Sequence, residues 1–417
     1  MQVDFFDFKT GFRHLSTKQL WISKILFSFL KFPFLSKMGC WALQKNFVLS
    51  FPGVAWLIRK TLFRQFCGGE TVNKTMQTLL FLNQYGVGGI LDFAAERGTC
   101  REHFEAAEQS IVEVIQSLKL SSAEKFAVFK PSALLSFDVL EKISNRINLH
   151  CNNSQVNTLA IIPNDLSFLN ERENQEWIEG RARVEKLCQL AADLGVKLMC
   201  DAEESWIQPA VDALLIEMMR KHNSLDACIF TTVQFYRTGR VQELQNLLCD
   251  AERNNYVVGV KAVRGAYLDK ERTYALEKNR PSAVHNTKKQ TDNHFDQGIA
   301  FMLANLTKFS ICVATHNEES TLLVLNAMRQ RNLTPENSHI AFSQLFGMSD
   351  YITFNLANAG LRSLKYIPYG VLRETIPYLM RRAQENSAVQ GQTARESSLI
   401  TKELKRRKKG GAFVLFQ

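Results

Sequence analysis

YIPYGVLRETIPYLMRRAQEN, Tyr366 to Asn386, reads as one strand, one turn and one helix. On a helix of about 100° per residue, Tyr378, Arg381, Arg382 and Glu385 fall at i, i+3, i+4 and i+7 and share a face. Adjacent guanidinium groups make a planar, always-charged fork suited to a carboxylate or phosphate, and the neighbouring tyrosines supply dry walls. The combination points to a clamp for a small anion with an apolar body. The competing reading is a solvated helix face whose Arg–Glu pairs only support the helix, and the tyrosines weigh against it.

Upstream, the same strand-then-helix alternation recurs. From about residue 87, short β-branched and aromatic runs alternate with longer amphipathic segments. The expected strands are GGILDF (88–93), FAVFK (126–130), VKLMCD (196–201), ACIFTTVQ (227–234), VVGVKAV (257–263), ICVATH (311–316), HIAFSQL (339–345) and SLKYIPY (363–369). The intervals hold crossover helices, as at 181–194, and eight such units closing on themselves make an α/β protein with a (β/α)8 barrel. A doubly wound open sheet is the competing architecture, but Gly86, Gly88 and Gly89 lack the GxGxxG spacing it would favour.

Polar residues fall where a barrel enzyme carries its chemistry. Lys130, Asp201, Gln234, Arg264, His316, Gln344 and Tyr366 lie at or near the C-terminal ends of expected strands. Singly, each has a plain structural explanation: Asp201 as a helix cap, His316 as a loop histidine, Lys130 reaching solvent. Together they are hard to attribute to packing.

The 417 residues, 46% hydrophobic, suffice for a large core and an accessory region. Nine cysteines without CxxC spacing argue against a disulfide framework and a zinc site, so no metal is expected and a reducing compartment fits. The formal charge of +10 owes much to KELKRRKK (402–409); a basic tail of this kind is ordinarily solvated charge, an anionic membrane surface is the sharper alternative, and no aromatic-interleaved groove points to nucleic acid. Residues 1–86 read as a helical region whose Trp21, Ile25, Phe29 and Leu30 should pack on the barrel. Its longest uncharged run, 46–58, falls short of the roughly 20 residues that span a bilayer. Asp4 and Asp7, without a cleavage pattern, argue against a leader, so the mature chain is expected to begin at Met1. Residues 150–175, with the strand-like LAIIP (159–163), read as an elaborated connection, and 391–417 as a basic tail.

DAEES (201–205), VKAVRGAYLDKER (260–272), ATHNEE (314–319) and YxxYGxxxxxxPYLxRRxxEN (366–386), in that order, resemble the proline dehydrogenases. The resemblance covers about residues 87–390 and implies a distorted (β/α)8 barrel, of TIM type, that holds FAD at the strand ends and oxidises L-proline to Δ1-pyrroline-5-carboxylate. It implies that Arg381, Arg382 and Lys130 surround the proline carboxylate, that Glu385 steadies the clamp, and that Tyr267, Tyr366 and Tyr378 line the ring. Asp201 matches the family's active-site aspartate, and Lys261 matches a basic position beside flavin N5, the atom that takes the hydride. Cofactor contacts are implied at Ala202, Gln234, Arg264, Gly265, Ala266, Thr315 and His316.

A membrane quinone is the family's usual electron acceptor, which gives the basic tail and the aromatic N-terminal segment a purpose as peripheral membrane contacts. Some relatives carry arginine where this chain has Lys261, and many carry leucine where it has Ala262. Tyr366 favours proline over hydroxyproline, since its ring fills the space of an added hydroxyl. Oxidation of hydroxyproline or another cyclic amine, and a non-catalytic membrane-associated barrel, are the alternatives. The short remainder after Asn386 is expected to hold no second enzyme, which assigns the next oxidation to a separate pyrroline-5-carboxylate dehydrogenase. The expected location is cytoplasmic, with peripheral contact at the inner face of a membrane; the mitochondrial matrix side is the alternative.

Overall fold

Strands buried on both faces need continuous apolar runs, and the runs rich in Val, Ile and Phe meet that need. The structure, a computed structural model, describes residues 3–30, 51–94, 98–120, 124–153, 159–388 and 392–414. Its strands are β1 (Val87–Phe93), β2 (Lys125–Phe129), β3 (Lys197–Cys200), β4 (Ile229–Gln234), β5 (Val258–Val263), β6 (Phe309–Ala314), β7 (Ile340–Leu345) and β8 (Ser363–Tyr369). They close into a barrel in the order β1 to β8, and every pairing with a defined register is parallel. The expected (β/α)8 architecture is therefore the observed one, and the open sheet is excluded. Lys130, Asp201 and Arg264 each follow a strand directly, whereas Tyr366 sits mid-strand in β8.

The chain divides into two compact units, Glu96–Ser343 on one hand and Met1–Ala95 with Gln344–Gln417 on the other. In the first, the helix expected at 181–194 begins earlier, at Glu171, because Asn170 and Glu173 form a capping box there; Gly195, in the left-handed region, ends it. The strand-like LAIIP (159–163) is irregular.

In the second unit, helix Thr17–Leu30 buries Leu20, Ser23, Phe27 and Leu30, with Phe27 edge-on to Phe66 at 6.2 Å and the Ser23 hydroxyl donating to Gln65 at 2.7 Å. Trp21, Ile25 and Phe29, expected to pack inward, are instead 50%, 53% and 59% exposed. Apolar residues, interleaved with Lys18, Gln19 and Lys24, fall on most sides of this helix, so periodicity alone did not identify its buried face. The rest of the expected N-terminal helical region includes residues 31–50, which lie outside those described.

The segment read as a basic tail contains helix Gln392–Val414. Ser397, Leu399, Ile400 and Leu404 are buried on it, as is Glu403, which accepts from Arg406 and Arg407 at 2.7 Å each. Arg407 also donates to the carbonyls of Leu15 at 2.8 Å and Phe12 at 3.0 Å, so the helix is stapled to the N-terminal segment. Among the described residues no helix is long and apolar enough to cross a membrane.

Candidate active site

Lys261 points from β5, buried at 4% exposure, and its ammonium donates to the Asp201 carboxylate just beyond β3. Strand β4 runs between them, with Thr232 in register with Lys261 and its hydroxyl donating to the Cys200 carbonyl at 2.7 Å. Strand alternation aims Lys261 to the side opposite its neighbours Val260 and Ala262. A buried cation and carboxylate of this kind are held by each other, because either alone would carry a large desolvation cost.

The rest of DAEES is a hub. The Asp201 amide donates to the Phe129 carbonyl at 2.9 Å, extending the β2–β3 pairing by one residue. Glu203, buried, accepts from the Ser132 amide at 2.9 Å and hydroxyl at 2.7 Å, two residues beyond Lys130. Burial pushes the Glu203 carboxyl above its ordinary range, and the Ser132 donors oppose that push. Glu204 pairs with Lys270 at 2.9 Å. Ser205 donates through its amide at 2.7 Å and its hydroxyl at 2.5 Å to Glu271, which also accepts from the Tyr236 hydroxyl at 3.3 Å. Helix Leu268–Glu277 carries Lys270 and Glu271, and Tyr267 stands at its N-cap with the Lys270 ammonium 5.2 Å from its ring centre. Sequence reasoning singled out Asp201 in this motif and missed Ser132, Glu203 and Glu271; the run of acids after Asp201 was the available signal.

Beside this hub, Arg264 lies over the Phe295 ring at 4.4 Å and is fixed by Asp292 at 2.6 Å, Thr315 at 2.7 Å and Ser320 at 2.9 Å. Burial acts to raise the Asp292 carboxyl, but Lys288 and Arg264 outweigh it and hold the group below its usual range. Thr315 and half-buried His316 follow β6, and Asn317 then caps helix Glu318–Gln330 through the Ser320 amide. Gly265, with φ +124°, leads to exposed Ala266; a Cβ there would stand 2.3 Å from the Tyr236 ring, so only glycine fits. At the end of β4 the Gln234 amide nitrogen reaches the Ala202 carbonyl at 3.5 Å, while its buried oxygen has no partner among the described residues.

Tyr366, Tyr378, Arg381 and Arg382 belong to the other unit. On helix Leu372–Ala388, Tyr378 and Arg382 are 6% and 8% exposed, and the Arg382 guanidinium lies 5.1 Å from the centre of the Tyr378 ring. A solvated face is thereby excluded for these two, and Arg381 and Tyr366 are half-buried. Glu385 is on the same helix, but its side chain falls outside the described residues. Among the described residues, direct contacts join Asp201 with Lys261, Gln234 with Ala202, Arg264 with Thr315, and Tyr378 with Arg382.

Polar and charged groups gathered at the C-terminal ends of parallel strands, fixed by a second layer of carboxylates, define a (β/α)8-barrel protein of the kind that works at its strand ends. A family model described as proline dehydrogenase matches residues 75–395, and the chain belongs to the proline dehydrogenase family. It is 33% identical over 346 residues to the carbapenem antibiotics biosynthesis protein CarD of Pectobacterium carotovorum subsp. carotovorum, covering 83% of this chain and 84% of that protein. To proline dehydrogenase 1, mitochondrial, of Drosophila melanogaster it is 38% identical over 252 residues, covering 58% of this chain and 37% of that protein. The crystal structure of proline utilization A (PutA) from Bdellovibrio bacteriovorus inactivated by N-propargylglycine is alike in fold, with a TM-score of 0.69 at 16% identity, over 92% of this chain and 38% of that one. The chain spans well under half the length of the last two proteins.

Proposed function

We propose that this protein oxidises L-proline to Δ1-pyrroline-5-carboxylate with bound FAD and passes the electrons to a membrane quinone. The observation that carries the reading is the buried Lys261–Asp201 pair at the ends of β5 and β3, within a chain of the proline dehydrogenase family.

Three features of the strand ends fit a flavin dinucleotide. The buried Gln234 oxygen, without a partner among the described residues, suits an N–H donor of a bound ring. Arg264 spends three of a guanidinium's five N–H directions on Asp292, Thr315 and Ser320, which leaves a fixed fork for an anionic diphosphate. Gly265 lets a ligand approach bare backbone. Ala202, Ala266, Thr315 and His316 would complete the cofactor contacts. When bound, FAD supplies the acceptor for the hydride that leaves the carbon next to the ring nitrogen.

The chain's own residues bind and orient. Arg381, Arg382 and Lys130 take the carboxylate through charge-assisted bonds, Glu385 steadies the arginines, and Tyr267, Tyr366 and Tyr378 enclose the apolar ring. Lys261 offers a fixed positive charge, and Asp201 keeps it oriented without solvent rearrangement.

The quinone reading draws on the uncovered face of helix Thr17–Leu30. Trp21, Ile25 and Phe29 project there, with the Lys24 ammonium 4.8 Å from the Trp21 ring centre, and Trp56 and Leu57 are also exposed. Exposed Lys402 and Lys405 stand on helix Gln392–Val414. Apolar rings beside lysines suit peripheral contact with an anionic membrane surface. The product would pass to a pyrroline-5-carboxylate dehydrogenase activity.

Purified protein should be yellow, should bleach on addition of proline, and should regain its colour with a quinone analogue. A colourless preparation that takes up no FAD and reduces no artificial acceptor with proline would remove the reading.

A further inference from the structure

We propose that Glu203 is a positioning residue for substrate binding, which acts by fixing Lys130 through Ser132; the inference rests on the reading of Lys130 as a carboxylate ligand given above. Strands β2 and β3 are in register from Phe126 with Lys197 to Phe129 with Cys200, and the last bond of that ladder runs from the Asp201 amide to the Phe129 carbonyl. Beyond it the two segments diverge, one carrying Lys130 and the other carrying Asp201. Glu203 bridges the divergence with both carboxylate oxygens, Oε2 to the Ser132 amide at 2.9 Å and Oε1 to the Ser132 hydroxyl at 2.7 Å.

Any movement of Ser132 is transmitted to Lys130 because the link between them is stiff. A single residue separates them, Pro131, whose ring fixes its own φ. The turn is closed by the Ala133 amide donating to the Lys130 carbonyl at 3.1 Å, and the Gly98 amide holds the Ser132 carbonyl at 2.9 Å. A buried carboxylate brings a desolvation cost that an apolar residue of similar size would not, so its two-point hold on one serine is better explained by placement than by stability. Glu203 makes no described hydrogen bond to an expected substrate or cofactor ligand; the positive charge of Lys130 acts on its carboxylate directly, and the fixed geometry passes through the turn.

The test is a cycle of variants, E203Q, S132A and K130A singly and E203Q with K130A, in the FAD-loaded full chain. The readouts are kcat, KM for proline, flavin content and Tm. Glutamine keeps an acceptor for the Ser132 amide but loses the charge and turns an NH2 toward the hydroxyl, which must then accept instead of donate, so E203Q should raise KM about tenfold while kcat stays within about twofold and flavin content is kept. S132A, a milder change that keeps the carboxylate and the amide bond, should raise KM about threefold. With Lys130 already removed, E203Q should change KM by less than about twofold, since residues acting in series do not add. An equal multiplicative effect in both backgrounds, or a fall in Tm with KM unchanged, would reduce Glu203 to a structural brace and overturn the proposal alone. A K130A variant with unaltered KM would overturn the reading of Lys130 and this proposal with it.

Discussion

Lys261 and Asp201 are joined by an ion pair that spans strand β4, with the lysine almost wholly removed from solvent. Their partnership implies that neither is replaceable by a neutral isostere without consequence. Asp201→Asn should lower kcat by about 10²-fold or more, the scale on which an oriented charge contributes at a dry site. Steady-state turnover with an artificial acceptor, at matched flavin content, checks this; a kcat within a fewfold of the parent would remove the pair from the reaction.

Arg381→Ala and Arg382→Ala should each raise KM for proline by about 10- to 100-fold, the cost of a lost charge-assisted hydrogen bond, and leave the flavin spectrum in place. Arg382→Lys should recover little, since an ammonium keeps the charge but loses the planar fork that lies against Tyr378. Loss of flavin with an unchanged KM would reverse the assignment of the two arginines.

Gly265→Ala forces a side chain onto φ +124° and against the Tyr236 ring. Strain of this kind costs about 1–3 kcal/mol. A backbone that shifts to relieve this strain no longer offers the cofactor the same surface, so the apparent Kd for FAD should weaken about tenfold or more, measured by titrating stripped protein and following flavin fluorescence. An unchanged Kd would show that the backbone at Gly265 does not face the cofactor.

Glu396 is buried and receives the Ser349 amide at 2.6 Å and hydroxyl at 3.1 Å. Burial first, then neighbouring Asp350, pushes its carboxyl from 4.5 up to about 7. Through that window the folded chain holds a proton that the unfolded chain has released, so this group's contribution to stability falls as pH rises, by about 3 kcal/mol at most. Asp350 acts in the opposite sense: burial would raise it, but Lys365 at 2.7 Å and His14 at 3.1 Å outweigh burial and hold it well below the carboxylate range. Its contribution persists above that range and is lost on acidification. Glu396→Gln should accordingly raise Tm at pH 8 and leave it nearly unchanged at pH 5. An equal shift at both values would show that Glu396 does not titrate in this window.

Much of the architecture is written locally. Most strands are apolar runs rich in β-branched and aromatic residues, flanked by amphipathic segments, and burial on both faces makes such runs conspicuous in a chain read one window at a time. Asp201, Gln234 and Arg264 were visible as candidates for the same reason, since a charged or amide group at the end of an apolar run stands out.

Contacts between distant residues were not legible in this way. Lys365 reads as an ordinary strand lysine, yet it is 1% exposed and bonded to Asp350 and to the Met348 carbonyl at 2.6 Å. Helix Gln392–Val414 reads as a charged tail because glutamates occupy two positions of its buried stripe, Glu396, Leu399, Ile400, Glu403 and Leu404; their partners lie at Ser349 and along the same helix, and only folding brings the former near.

By itself, the sequence determined the repeating strand-and-helix pattern, the motifs at the strand ends and the kinship those motifs carry, because each depends on residues close together in the chain. Tertiary structure alone decided that the acids following Asp201 reach Ser132 and Lys270, that Ser205 is held by Glu271, and that Trp21, Ile25 and Phe29 face outward. The physical reason is that burial and hydrogen-bond partnership are properties of neighbours in space, and a helix apolar on most sides, or a carboxylate that could cap, pair or face water, leaves the choice to whatever packs against it.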